Sequence, residues 1–264
     1  MAGAVYLNGS RVRIASKPVF TGAEVKAMVS PDRLFTESES REPQWAFDTS
    51  WIVFEDDGLL VLNKPSGLPT QPTVDEARAN LYKLAMDFIK ARDGLDAYLG
   101  LHHRLDRDTS GLVLFTKKKE MNLPVAELFA EHQIQKTYVA VVEGEKKPEK
   151  AFVIKNYLGK LKKGPREKIQ KYGAVKSGGD FAETSFELIR SEGHRHWLTC
   201  QPKTGRTHQI RAHLSEAGYP ILGDFLYGRR DSAERLMLHA WKLEFIHPVS
   251  QKKVTLEAPL PTGF

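Results

Sequence analysis

The segment His102-His103-Arg104-Leu105-Asp106-Arg107-Asp108-Thr109-Ser110-Gly111 is crowded with ionisable and hydrogen-bonding side chains and nearly devoid of apolar ones. It runs straight into Leu112 to Phe115, a short apolar run that reads as a buried strand. A polar loop held against a core strand is the usual place for a site. In an extended loop, residues two apart point the same way, so Arg104 and Asp106 share a face while Leu105 anchors on the other. That presents a carboxylate beside guanidinium groups, as a nucleophile or a base requires. A surface ion pair followed by an ordinary Asp-Thr-Ser-Gly turn fits the same residues, and Arg-x-Asp alone does not decide between the two.

Three further segments combine turn, strand and helix signals with polar side chains. Asn63-Lys64-Pro65-Ser66-Gly67 is a Pro-Gly turn after a strand, read as structural. In Lys136-Thr137-Tyr138-Val139-Ala140, strand alternation puts Lys136, Tyr138 and Ala140 on one face and Val139 and Val141 on the other. Such a tyrosine is commonly half-buried packing. Pro202 to His213 reads as a tight turn opening a helix on which Ile210 and Leu214 form a buried row. His208 and Arg211, three apart, are neighbours on another face, which fits either a site or a solvated surface.

Together these segments resemble, in order and spacing, the motifs of the RluA family of RNA pseudouridine synthases. His103-Arg104-Leu105-Asp106, followed by Thr109-Ser110-Gly111, matches that family's catalytic motif at each fixed position, and the likeness runs over about residues 51 to 258. The resemblance implies that Asp106 is the nucleophile and Arg211 its ion-pair partner, with Arg206 a second candidate for that partner and a contact for RNA. It implies that Tyr138 faces the site as candidate base for a late proton removal. Arg104 would fill the gap left by an everted base, and His103 would also contact RNA. The reaction detaches uracil from C1′ at N1 and rejoins it at C5 without net change in composition, so no cofactor or metal is expected. A carboxylate withdrawn from water tends to protonate, and an Arg within about 4–6 Å opposes this. The runner-up expectation is a catalytically inactive RNA-binding or assembly factor with the same fold.

The elements that must position these residues are an α+β mixture with a largely antiparallel sheet. Trp51 to Phe54 and Leu59 to Leu62 flank Asp57-Gly58, a hairpin signal. Ala77, Leu81, Leu84, Ala85, Phe88 and Ile89 share a helical face that Gly94 follows. Asn122 is expected to cap a helix bearing Val125, Leu128 and Phe129, and Thr207 one with Ile210, Leu214 and Ala217 inward and Gly218 and Pro220 at its end. Alternating runs over 151 to 202 predict antiparallel strands, and Leu236 to Phe245 and Val254 to Glu257 closing ones. Residues 1–30 form a small β unit whose Asn8-Gly9 turn and later Gly22-Ala23-Glu24-Val25 resemble the C-terminal part of an S4 RNA-binding domain, of which only this remnant is expected. Residues 31–50 have linker composition, and 51–264 form the catalytic domain.

The chain has 264 residues, 41% hydrophobic and 27% charged, which permits a sizeable core. The net charge of +6 suits a polyanionic partner, and RNA is the one expected, ribosomal in preference to transfer RNA because fuller S4 domains accompany several members of the resembled family that act on ribosomal RNA. Lys160, Lys162, Lys163, Arg166, Lys168 and Lys171 crowd one hairpin tip, with Lys117, Lys118 and Lys119 a second basic run. Either run alone fits a solvated surface, and beside the site Lys160, Lys162 and Lys163 become candidate phosphate contacts. The absence of a Gly-x-Ser-x-Gly elbow, a P-loop or a zinc-binding spacing argues against a hydrolase, and the single Cys200 reads as a packed strand residue. The composition suggests no membrane span, and a cytoplasmic monomer is the expectation.

Overall fold

A computed structural model describes residues 3–12, 19–29, 45–72, 78–163, 169–229 and 232–264. They fall into two compact units divided between Gln44 and Trp45. The smaller is a three-stranded antiparallel sheet, β1 (Gly3–Leu7), β2 (Ser10–Val12) and β3 (Val25–Val29), in the order β2-β1-β3. Asn8 and Gly9 both have positive φ, 49° and 78°, as a two-residue hairpin turn with the twist of its strands demands. The Asn8 carboxamide also accepts from the Glu24 N–H at 2.8 Å, which ties the hairpin to the chain entering β3. The expected linker lies outside the described residues up to Gln44. Beyond it the larger unit starts earlier than Trp51, because Trp45 and Phe47 already pack on its core.

The larger unit is built on one mixed sheet. In chain order its strands are β4 (Ile52–Glu55), β5 (Leu59–Lys64), β6 (Gly100–Leu101), β7 (Ser110–Thr116), β8 (Gln135–Glu143), β9 (Ala151–Lys160), β10 (Tyr172–Ala174), β11 (Asp180–Glu192), β12 (Arg195–Pro202), β13 (Leu238–Ile246) and β14 (Lys253–Glu257). The path is β10-β9-β11-β12-β8-β13-β7-β5-β4, with β14 beside β13 and β6 beside β7. All these pairings are antiparallel except β7 with β13. The expected α+β class with a largely antiparallel sheet is therefore the class observed.

At the parallel seam Ser110 faces His239 and Gly111 faces Ala240. Gly111 has φ 115°, and a Cβ there would collide with the Ala240 backbone, so only glycine lets the loop's end join the sheet at this depth. On β5 and β7 alternation divides a continuous apolar run between two cores, as expected of strands covered on both sides. Leu60, Leu62, Val113 and Phe115 pack with Leu81, Ala85 and Ile89 of α1 (Leu81–Asp93). Leu59, Val61, Leu112 and Leu114 pack with Val125 and Leu128 of α2 (Asn122–Ala130). The third helix, α3 (Gln209–Glu216), sends Ile210 and Leu214 into a core with β8 and β12.

Helix ends separate what the sequence indicated from what it hid. α1 is capped by Asn80, whose side chain accepts from the Lys83 N–H, and Gly94 closes it with φ 108°. The Ala77 expected on its face lies outside the described residues. Asn122 does not cap α2: the helix continues from a 3-10 turn, Lys119–Met121, and the Asn122 side chain instead bonds Thr116 and Tyr98. Thr207 does not cap α3 either, because His208 holds that position in the left-handed region at φ 57°. The Gln209 carboxamide oxygen instead braces the turn before the helix, accepting from the Arg206 N–H at 3.0 Å and the Thr204 hydroxyl at 2.7 Å. Gly218 and Tyr219 donate to the Ser215 and Leu214 carbonyls, a Schellman ending that leaves Ala217 exposed rather than inward.

Two buried histidines give this sheet a pH signature. Burial pushes His213 and His239 down to about 4, against an ordinary value near 6.5. The unfolded chain therefore takes up these protons before the folded one does. Their stabilisation is complete above about pH 6.5 and declines toward about pH 4, by about 1.4 kcal/mol per pH unit for each histidine. The urea midpoint should drop between about pH 7 and about pH 5, and His213→Gln should flatten that drop; an equal midpoint at both pH values would contradict it.

Candidate active site

Three structural features converge on Asp106. The loop from His102 to Thr109 joins β6 to β7, and its backbone is clasped by the turn that follows β5. Lys64 is fully buried, and its Nζ donates to the carbonyls of Pro65, Leu68 and Arg107 at 2.9, 2.7 and 2.8 Å. Ser66 Oγ donates to the Asp108 carbonyl at 2.6 Å, and the Gly67 N–H to that of Arg107 at 2.9 Å. Thr70 Oγ1 donates to the Leu105 carbonyl at 2.8 Å and accepts the Leu105 N–H at 3.1 Å, while the Leu105 side chain sinks into the α1 core. Leu105 is thus the anchor expected of it, and Arg104 and Asp106 on either side of it line a common cavity. Burial pushes the Lys64 ammonium down to about 7, against the opposing pull of Asp108 and Asp106.

Arg211 supplies the counter-charge. Its side chain is 5% exposed, which rules out a solvated surface position. Nε and Nη2 hold Asp224 at 2.7 and 2.8 Å in a bidentate pair, and Nη1 reaches Asp106 Oδ2 at 3.2 Å. Asp224 is completely buried and also accepts the N–H groups of Leu226 and Tyr227, each at 3.0 Å. Burial works against the Arg211 charge, but the bonds and charges of Asp224 and Asp106 outweigh it and hold the guanidinium above its ordinary value. Arg206, the other candidate partner, spends its Nε on the Phe181 carbonyl at 3.0 Å. Asp106 keeps 21% of its side chain exposed, enough to meet a substrate.

His208 flanks the same carboxylate, with Nε2 3.8 Å from Asp106 Oδ2 and Nδ1 3.0 Å from the Tyr227 hydroxyl. Burial lowers its pKa while Asp106 pulls it up. Tyr138 lines the cavity from β8, and burial together with the Asp106 charge pushes its phenol up. His103 Nε2 accepts the Leu114 N–H at 2.9 Å, which puts the proton of the neutral ring on Nδ1. Burial pushes it down to about 3, so its ring serves as a wall of the cavity and packs 4.8 Å from Phe129.

The cavity measures about 400 Å³, within the range of small-ligand sites. Arg104 projects from its rim, exposed and with no hydrogen bond among the described residues. Lys160 lines a neighbouring polar cavity of about 270 Å³ together with Arg206, whereas Lys162 and Lys163 are exposed and line neither. Arg166 and Lys168 lie outside the described residues. In the other basic run, Lys117 is bound to Glu55 at 2.6 Å, a fixed ion pair rather than a solvated end. The roles of Lys64, Thr70, Asp224 and Tyr227 were not apparent from the sequence. Lys64 stood within the turn segment Asn63 to Gly67, but nothing in its spacing disclosed burial.

A presented aspartate with a buried guanidinium behind it, at the wall of a nucleotide-sized cavity on a mixed sheet, defines a class that comparison with known proteins makes specific. Residues 58–216 match the family described as RNA pseudouridylate synthase. Ribosomal large subunit pseudouridine synthase C of Vibrio cholerae is 37% identical over 221 residues, 79% of this chain and 65% of that protein. The protein of that name from Escherichia coli is 35% identical over 222 residues, 80% of this chain and 67% of that one. The uncharacterized RNA pseudouridine synthase YhcT of Bacillus subtilis is 30% identical over 262 residues, 97% and 83% of the two chains. Among solved structures, human RNA pseudouridylate synthase domain containing 4 superposes with a TM-score of 0.65 at 28% identity, covering 81% of this chain and 90% of that one. The chain belongs to the RNA pseudouridylate synthase family, whose members are isomerases acting on RNA. It spans about two thirds of the length of the synthase C relatives.

The Asp224 pair carries a testable cost. Asp224→Asn leaves a buried guanidinium with one anionic partner in place of two and should lower unfolding free energy by about 3–5 kcal/mol. Urea unfolding measures this, and a loss below about 1 kcal/mol would show that Asp224 is not what holds Arg211.

Proposed function

We propose that this chain converts uridine to pseudouridine in ribosomal RNA, with Asp106 as the reacting carboxylate, Arg211 as its partner and Tyr138 as the late base. The observation that carries this is the 3.2 Å contact from buried Arg211 to a partly exposed Asp106 at the cavity wall. The names of the synthase C relatives favour the large ribosomal subunit as the source of the RNA. On this reading the uridine leaves the stack, at a cost of a few kcal/mol. Asp106 then acts either at C1′ or after proton removal at C2′, and the cavity holds the detached uracil until C5 meets C1′. Arg104, planar and without a hydrogen bond among the described residues, stacks where the base had been.

Tyr138 starts as a neutral phenol, because burial and the Asp106 charge disfavour phenolate. Removal of the C5 proton by Tyr138 therefore requires the phenol to pass its own proton on in the same step, to Asp106 or to water. The basic surface at Lys160, with Lys162 and Lys163 beyond it, contacts phosphates. The protein works as a cytoplasmic monomer, and we read its N-terminal β unit as an S4-like remnant.

C5-tritiated RNA from cells lacking the protein tests the reaction by tritium release, and mapping pseudouridines in ribosomal and transfer RNA from such cells identifies the target. Asp106→Asn should abolish release while RNA affinity changes by less than about threefold, since phosphate contacts dominate nonspecific binding. No release from the unmodified protein would leave an inactive RNA binder. Arg104→Ala should slow release from structured RNA by about ten- to a hundredfold more than from an unpaired fragment, and equal losses on both would remove Arg104 from base eversion.

A further inference from the structure

A second cavity of about 370 Å³ adjoins the one that holds Asp106, and the two share Phe129, His132, Lys136 and Pro202 as walls. We propose that it is a subsite for the nucleotide next to the reacting uridine, with Lys136 holding the phosphate that joins the two. The inference rests on the function proposed above and extends it to the neighbouring residue of the strand.

Lys136 carries the argument. It is half-buried near the start of β8, two positions before Tyr138, and its ammonium makes no hydrogen bond or ion pair among the described residues. Its Nζ stands beside Gly205, where an added Cβ would lie 3.9 Å away, and both residues line the first cavity. Burial lowers its pKa, the mark of a charge withdrawn from water without a partner. An unpaired buried charge is costly, and a phosphate arriving between the two cavities offsets that cost with a charge-assisted bond.

The remaining walls fit a base. Phe129 and His132 offer ring faces or edges, while Gln135, Gln201 and Ser185 offer donors and acceptors. None of the described lining residues is acidic, and Lys203 at the edge already neutralises Glu183, at 2.6 Å. An anionic strand therefore meets no repulsion from the walls. His132, with φ 57° just beyond α2, lines both cavities.

The test uses the full chain and a fluorescein-labelled oligouridine containing 4-thiouridine. Irradiation should crosslink the probe to peptides bearing Ser185 or Gln201, which line only the second cavity, as well as to the catalytic loop. Lys136→Met should weaken binding about fivefold at 0.1 M salt and reduce the log–log salt slope by about 0.7, the signature of one lost single-strand phosphate. Lys253→Met, on exposed β14, should leave that slope unchanged. A purely structural lysine would alter stability but not the slope, and thermal unfolding of Lys136→Met separates the two. The subsite stands only if both the crosslinks and the slope change appear. Tritium release with crosslinks confined to the catalytic loop and α3, or with an unchanged slope, would overturn the subsite while leaving the isomerase reading intact. Absence of tritium release would overturn the isomerase reading instead.

Discussion

A guanidinium shared between two aspartates is the interaction on which the site depends. Arg211 is gripped in the plane of its fork by fully buried Asp224, so the third N–H is aimed before any substrate arrives. Asp106 receives that N–H and remains partly exposed. Had Arg211 only Asp106 to satisfy it, a charge on a largely dry helix would have to rely on a surface-facing carboxylate. The second aspartate fixes the guanidinium from within and leaves the first partly exposed at the cavity wall. Fixed charges directed at a reacting centre need no reorganisation at the moment of reaction, which is how preorganised electrostatics accelerates chemistry.

The loop bearing Asp106 is held with comparable rigidity from the other side. Lys64, Ser66, Gly67 and Thr70 all bind backbone of residues 105 to 108, so the turn after β5 sets the loop's shape through its main chain. A buried lysine bonded to three carbonyls acts there as a cross-brace. The cavity walls repeat the pattern with neutral groups: His103 gives a ring nitrogen to the Leu114 backbone, and His208 engages the Tyr227 hydroxyl.

Much of this was legible in the sequence because it lay in short-range patterns. Strand alternation distinguished the face bearing Tyr138, the hairpin at Asp57-Gly58 formed as read, and the loop holding Asp106 stood out as a polar interruption before an apolar strand. What stayed hidden depends on tertiary contact. Asn122 and Thr207 carry good capping side chains, but one is drawn to Thr116 and Tyr98 and the other is displaced by a left-handed His208. Lys64 and Asp224 look solvated by residue type and are fully buried, since burial of a charge depends on partners brought in from elsewhere in the chain. The motif placed Arg211 beside Asp106, whereas its stronger hold on Asp224 emerged only from the packed helix.

The one parallel junction among the described residues, β7 with β13, has a consequence for how this enzyme comes into being. β7 carries the loop bearing Asp106 into the sheet beside β13, a strand made more than a hundred residues later, and the Asp106–Arg211 contact itself closes a separation of 105 positions. Long-range closures of this kind must bear their loop entropy before any contact rewards them, so they form late and slowly. During synthesis the aspartate emerges well before either the helix that charges its surroundings or the strand that seats its loop. The nascent polypeptide therefore carries the Asp106 carboxylate without its guanidinium partner until the later helix and strands have been made and have packed.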